Sequence, residues 1–152
     1  MGRTATERLH LDEAEREVLG AAATSLARAV PRPEHARLAE AVARGEIPDD
    51  LLAPLEAMLD VLLQPDRAAR TGGPMAEQVL RGIFRRTPRG ARIAATAREV
   101  SQALLALRGQ TIENLRVESA PGQHTLLIET DRCSVVLRLE PSGPRLDRLD
   151  LG

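Results

Sequence analysis

Hydrophobic residues in this chain follow two different periods, and the change falls near Gly109. Up to that residue, apolar positions recur at steps of three and four, the spacing of one face of an α-helix. Beyond it they alternate with polar positions, which is typical of half-buried β-strands. The pattern predicts an α+β fold: about five helices in residues 12–86, a long connecting helix in 87–109 and an antiparallel meander in 110–152. We expect the 152 residues to form a single domain.

Helix ends in the first half are marked by capping residues, Gly and Pro. Asp12 and Glu15 have the spacing of a capping box, so a helix should begin there and continue to about Ala29. The next helix should end at Gly45, because glycine readily adopts the left-handed conformation that terminates helices. The most apolar helix follows. Pro54 predicts either an irregular first turn or a kink in that helix.

The long helix carries a signal at each end. Thr87 can cap the first free N–H groups, Pro88 suits the first helical position, and Gly109 is suited to the C-terminal exit. We expect the helical part, 88–108, to pack across one face of the following sheet through a single apolar stripe. The stripe consists of Ile93, Ala97, Val100, Leu104 and Leu107.

Four strands are predicted after this helix, joined by connections so short that neighbouring strands must be antiparallel. We expect Ser119 to lie opposite His124, and Thr130 opposite Cys133. Strand alternation then places most apolar residues on the face that the helix covers. These residues are Leu115, Val117, Leu126, Ile128, Cys133, Val135, Leu137, Leu139, Leu149 and Leu151.

The opposite face of the sheet is predicted to have a small apolar centre with a charged rim. Leu127 should lie against Val136, with Arg116 and Asp150 completing the row. An apolar centre bordered by charges is how a modest protein interface is built. We therefore expect this face to be covered by a second copy of the chain, by the N-terminal helices or by a different protein. The predicted interface consists of Arg116, Leu127, Val136, Arg138 and Leu146.

Charge is unevenly distributed, although the net charge is only −1. Every basic residue is Arg, and several crowd into residues 81–98. Two helices meeting in this segment make nucleic-acid binding an alternative function. The small net charge, and the almost complete lack of aromatic residues for base stacking, favour instead an Arg face that pairs with the acidic N-terminal helices. The candidate nucleic-acid contacts are Arg81, Arg85, Arg86, Arg89 and Arg92.

Catalytic chemistry has no local signature in the sequence. His10, His35 and His124 have no second ligand at metal-binding spacing, and the single Cys133 is expected to be a small buried hydrophobe. We assign no catalytic residue, metal or cofactor, although an enzyme assembled from scattered residues stays an open alternative. No run of apolar residues approaches a membrane span. The sequence thus predicts a cytoplasmic interaction or regulatory module, acting by self-association or by binding another protein.

Overall fold

The computed structural model describes residues 8–68 and 72–152 and has the α+β architecture that the pattern predicts. The described residues form five α-helices, then a long helix α6 (Pro88–Leu105), then a four-stranded antiparallel sheet. The chain divides into two compact units, one ending at Ala91 and the other running from Arg92 to Gly152. The boundary lies within α6. That both units belong to a single domain stays a prediction.

The first unit contains the helices and one short strand pair. Its helices are α1 (Glu13–Ala29), α2 (Pro33–Arg44), α3 (Leu52–Leu62), α4 (Pro65–Ala68) and α5 (Gly73–Arg86). The strands β1 (Leu9–His10) and β2 (Glu46–Ile47) are antiparallel, and a 3₁₀ turn (Asp49–Leu51) precedes α3. The core of this unit is built mainly from leucines of α1, α2, α3 and α5. Its fully buried members include Leu19, Leu38, Leu55, Leu59, Leu80 and Ile83.

The local helix signals are confirmed. The backbone N–H of Glu15 donates to Asp12 Oδ1 at 2.8 Å, and the N–H of Asp12 donates to Glu15 Oε2 at 3.0 Å, which completes the capping box. Gly45 ends α2 with a φ of 80°. The first turn before α3 is irregular, as Pro54 indicated, because the 3₁₀ turn takes the place of regular helix there.

The junction of α5 with α6 depends on two small residues. Thr87 is buried; its Oγ1 donates to the carbonyl of Phe84 at 2.8 Å and accepts from the N–H of Gly90 at 3.2 Å. Gly90 lies so close to the end of α5 that an added Cβ would be 1.8 Å from the carbonyl oxygen of Phe84. The sharp connection therefore needs both a hydroxyl cap and the absence of a side chain at position 90.

The second unit combines the rest of α6 with one sheet of order β3-β4-β5-β6. The strands are β3 (Ile112–Ala120), β4 (Gln123–Thr130), β5 (Cys133–Glu140) and β6 (Gly143–Leu151). The helix ends at Leu105, earlier than predicted. It continues as tight turns with hydrogen bonds between residues three apart, up to Gly109 at a φ of 75°. The predicted stripe is confirmed at Val100, Leu104 and Leu107, which pack against the cluster of Ile128, Val135 and Leu137.

The pairing of the last strand differs from the prediction. Ser119 lies opposite His124 and Ile128 opposite Val135, as expected, but the turn before β6 consists only of Pro141 and Ser142. A β-bulge adds Asp147 to β6, because Val136 pairs with Arg148 while Leu137 pairs with Leu146. The extra residue reverses the predicted alternation only in the part of β6 before Asp147, so Leu146 changes face whereas Leu149 and Leu151 keep the predicted one. The register predicted for β6 is therefore wrong.

Candidate interaction surface

The predicted interface lies on the face of the sheet that points away from α6. Leu127 is directly opposite Val136, and Arg116 is directly opposite Leu127, as the sequence predicts. Both apolar residues are half-buried by their neighbours. The fourth member of the row is Arg148 and not Asp150, because β6 begins directly after the two-residue turn Pro141-Ser142 and one bulged residue precedes Arg148. This face therefore has a narrow apolar centre beside two arginines.

Arg138 and Leu146, the other two predicted interface residues, are engaged in ion pairs or in core packing. Arg138 forms ion pairs with Asp147 at 2.9 Å and with Glu140 at 3.8 Å. Leu146 is on the other face, where it packs against the core cluster of Val100, Ile128, Val135 and Leu137. The prediction that Leu146 shares the outer face is wrong, and the bulge at Asp147 is the reason.

The largest departure from the prediction is on the helix side of β3. Leu115 and Val117 share the face that α6 packs against, as expected, but α6 does not cover them. Together with Ile112 they are 58–63% exposed. We call Ile112, Leu115 and Val117 the β3 apolar row. Three large aliphatic side chains on one strand thus have no covering element in the described part of the chain.

The width of the sheet explains this exposure. Strands lie about 4.8 Å apart, so the axes of four strands span about 14 Å. An α-helix with its side chains is roughly 10 Å wide. The α6 stripe packs on residues of β4, β5 and β6, among them Leu126, Val135 and Leu149. A single helix in that position leaves the outermost strand on the other side, β3, uncovered.

Strand β3 is also an edge, since it pairs only with β4 among the described strands. The N–H and C=O groups on its other side thus have no strand partner in the residues described. Arg116 and Glu118 point away from the helix side and form no ion pair with any described residue. Next to them, Ser119 Oγ and His124 Nδ1 are 2.9 Å apart. The edge therefore offers backbone groups, apolar side chains and two opposite charges that make no ion pair within the described part of the chain.

Three of the five candidate arginines in the Arg-rich segment form ion pairs with carboxylates. Arg81 bonds Glu77 one turn earlier, and Arg86 bonds Glu15 of α1 as well as the carbonyl of His10. Arg89 pairs with Asp60 of α3, and the backbone N–H of Arg89 donates to Glu56 at 2.8 Å. The remaining two candidates, Arg85 and Arg92, are exposed and make no ion pair within the described residues.

Two further observations concern small molecules and metal ions. A groove of about 800 Å³ in the first unit is lined mainly by apolar residues of α1 and α3, including Val18, Leu26, Met58 and Val61. The residues that the structure describes contain no group of three His, Cys, Asp or Glu side chains placed to hold a metal ion. Cys133 is buried, as predicted, and its backbone N–H donates to Thr130 Oγ1 at 2.9 Å.

Comparison with known proteins assigns no family. No protein-family model matches this sequence, and no curated protein or solved structure matches it. Within the described segments, no helix has both the length and the apolar character needed to cross a bilayer. A function for this chain has to be inferred from its own residues and geometry.

Proposed function

We propose that this protein is an interaction module that self-associates through strand β3. The observation that carries the proposal is the β3 apolar row, whose three aliphatic side chains are more than half exposed on an edge strand. Exposed apolar edges pair readily with other chains, and natural proteins normally cover, shorten or charge them. A contiguous apolar row left open on an edge thus favours a surface that another chain covers.

A partner strand can use both features of this edge. Its backbone would bond the free N–H and C=O groups of β3 by β-augmentation, while its side chains would pack beside Leu115 and Val117. The interface predicted from the sequence contributes Arg116 on the same strand, with Leu127 and Val136 next to it on the outer face. A regulatory role, the lack of a cofactor and a cytoplasmic location are parts of the same proposal.

Nucleic-acid binding, the alternative from the sequence, receives less support. Phosphate contacts require free cationic side chains. Arg81, Arg86 and Arg89 are engaged with Glu77, Glu15 and Asp60. Breaking those ion pairs would oppose binding to phosphate, so we favour protein contact.

The decisive experiment is sedimentation equilibrium of the full chain over a wide range of concentrations. Pairing through a single strand buries less surface than a standard interface of about 1,600 Å², so association should be weak and concentration-dependent. We expect the wild type to approach twice the chain mass and Val117→Glu to stay monomeric. At concentrations low enough for both to be monomeric, they should melt at the same temperature, because Val117 is exposed in the isolated chain.

Met75→Glu is the matched control, since Met75 is an exposed apolar residue of α5 outside the β3 apolar row. This variant should associate like the wild type. A wild type that stays monomeric at every concentration would contradict the proposal, as would a Val117→Glu variant that associates normally.

A further inference from the structure

Strand β3 is regular along only part of its length, which restricts how a second strand can pair with it. Ile112 lies opposite Thr130 and Asn114 opposite Glu129, so Glu113 is an extra, bulged residue. A bulge interrupts the pairing pattern. The regular segment is therefore Asn114–Ala120, and its midpoint is Val117.

We propose that two copies of the chain pair antiparallel through β3 about a two-fold axis at Val117, with Arg116 of each copy opposite Glu118 of the other. This register rests on the proposed self-association and specifies its geometry. A two-fold axis relating two antiparallel edges is perpendicular to the sheet, so residues of the same face lie opposite each other. The axis must consequently pass through a residue and not between two residues.

The charges of β3 discriminate among the possible axes. With the axis at Arg116, the two copies of that arginine lie directly opposite each other, and with the axis at Glu118 the two glutamates do. Directly opposed like charges destabilise a strand pair, whereas opposite charges stabilise it. The axis at Val117 creates two Arg116–Glu118 pairs from side chains that make no ion pair with the described residues. It also pairs the whole regular segment, whereas either neighbouring axis shortens the ladder.

The apolar row fits the same register. The two Val117 side chains meet at the axis on the helix side, and Leu115 of each copy faces Ser119 of the other. Val117 thereby gains an aliphatic neighbour on the flank where the described residues of its own chain provide none. The two sheets form one continuous eight-stranded sheet, with one α6 of each copy on the same side.

Charge reversal tests this register in the full chain. We expect Arg116→Glu alone and Glu118→Arg alone each to weaken self-association by about tenfold or more, because each creates two like-charge pairs. An equimolar mixture of these two variants should associate, since every substituted side chain then faces an opposite charge. The double variant Arg116→Glu/Glu118→Arg should associate like the wild type. Raising the salt concentration should weaken the association of the mixed variants and of the double variant, because salt screens the opposite charges.

Cysteine cross-linking provides an independent readout. Directly opposite Cα atoms in an antiparallel pair are about 4.5–5.5 Å apart, which is within the range of a disulfide. Val117→Cys should therefore form a covalent dimer on oxidation. Leu115→Cys, the matched control, should not, because its counterpart across the interface is Ser119. The native Cys133 is buried.

The outcomes separate the register from the function. If Val117→Glu abolishes the dimer but the mixed charge variants do not associate, the register is wrong and self-association stands. Cross-linking by Leu115→Cys and not by Val117→Cys would also overturn the register. A monomeric wild type would overturn both proposals.

Discussion

Replacing Gly90 with Ala tests whether the α5–α6 junction needs the close approach seen in the structure. The added Cβ would lie 1.8 Å from the carbonyl oxygen of Phe84 and 2.6 Å from its carbonyl carbon, where real Cβ atoms keep at least 3.0 Å. Backbone must therefore move by more than 1 Å. Because Thr87 bonds both Phe84 and Gly90, the same movement would break its hydroxyl cap.

The expected cost follows from three opposing effects. Overpacking typically costs about 1–3 kcal/mol. Loss of the cap adds about 1 kcal/mol. The higher helix propensity of Ala stabilises the variant by about 1 kcal/mol and partly offsets these losses. The free energy of unfolding of Gly90→Ala should therefore fall by about 1–3 kcal/mol.

Two matched substitutions isolate the contribution of the contact. Gly82 in α5 and Gly20 in α1 are also helical, but a Cβ at either position meets nothing within 4 Å. Gly82→Ala and Gly20→Ala should leave stability unchanged or raise it by up to about 1 kcal/mol. Urea denaturation followed by far-ultraviolet circular dichroism measures all three variants. A Gly90→Ala variant as stable as Gly82→Ala would refute the close approach of α6 to the end of α5.

Two more predictions concern the sheet and the arginines. Leu137→Ala should lower the free energy of unfolding by about 2–5 kcal/mol, because Leu137 is buried in the sheet core. In the same urea experiment, Leu139→Ala should lower it much less, because Leu139 is exposed. Fluorescence anisotropy with duplex DNA should show no binding at physiological salt, either for the wild type or after charge reversal at Arg85 and Arg92. Sub-micromolar binding by the wild type that weakens steeply with salt would contradict the preference for protein contact.

Most of the fold could be predicted because its signals are local. The spacing of Asp12 and Glu15 was enough to predict the first cap, since its hydrogen bonds join residues only three apart. The register of β4 with β5 followed from the short Asp131-Arg132 turn and the alternation on either side of it. The register of β6 did not follow, because the turn consists of only two of the residues in Pro141-Ser142-Gly143-Pro144 and the bulge at Asp147 has no distinctive local composition.

The candidate site was predicted less well than the fold. Arg116, Leu127 and Val136 do form a row, but Leu146 lies on the opposite face. Leu115 and Val117 of the β3 apolar row were in the helix-facing set predicted from the sequence, whereas Ile112 was not and reaches that face only through the bulge at Glu113. The exposure of the row was missed since alternation shows which face a residue occupies and not whether anything covers that face. The combined widths of one helix and four strands were the signal that could have indicated it.

The sequence by itself therefore determined the order of the main helices and of the four sheet strands, the helix caps, and the pairing of β4 with β3 and with β5. It did not predict the short β1–β2 pair or α4. The features that it determined depend on hydrogen bonds and periodicities among residues close along the chain. Only the tertiary structure decided that α6 covers β4, β5 and β6, and that Arg86 and Arg89 pair with Glu15 and Asp60. These contacts join residues far apart along the chain. The local sequence signals are compatible with many such contacts, and only the packing of the whole fold selects one set.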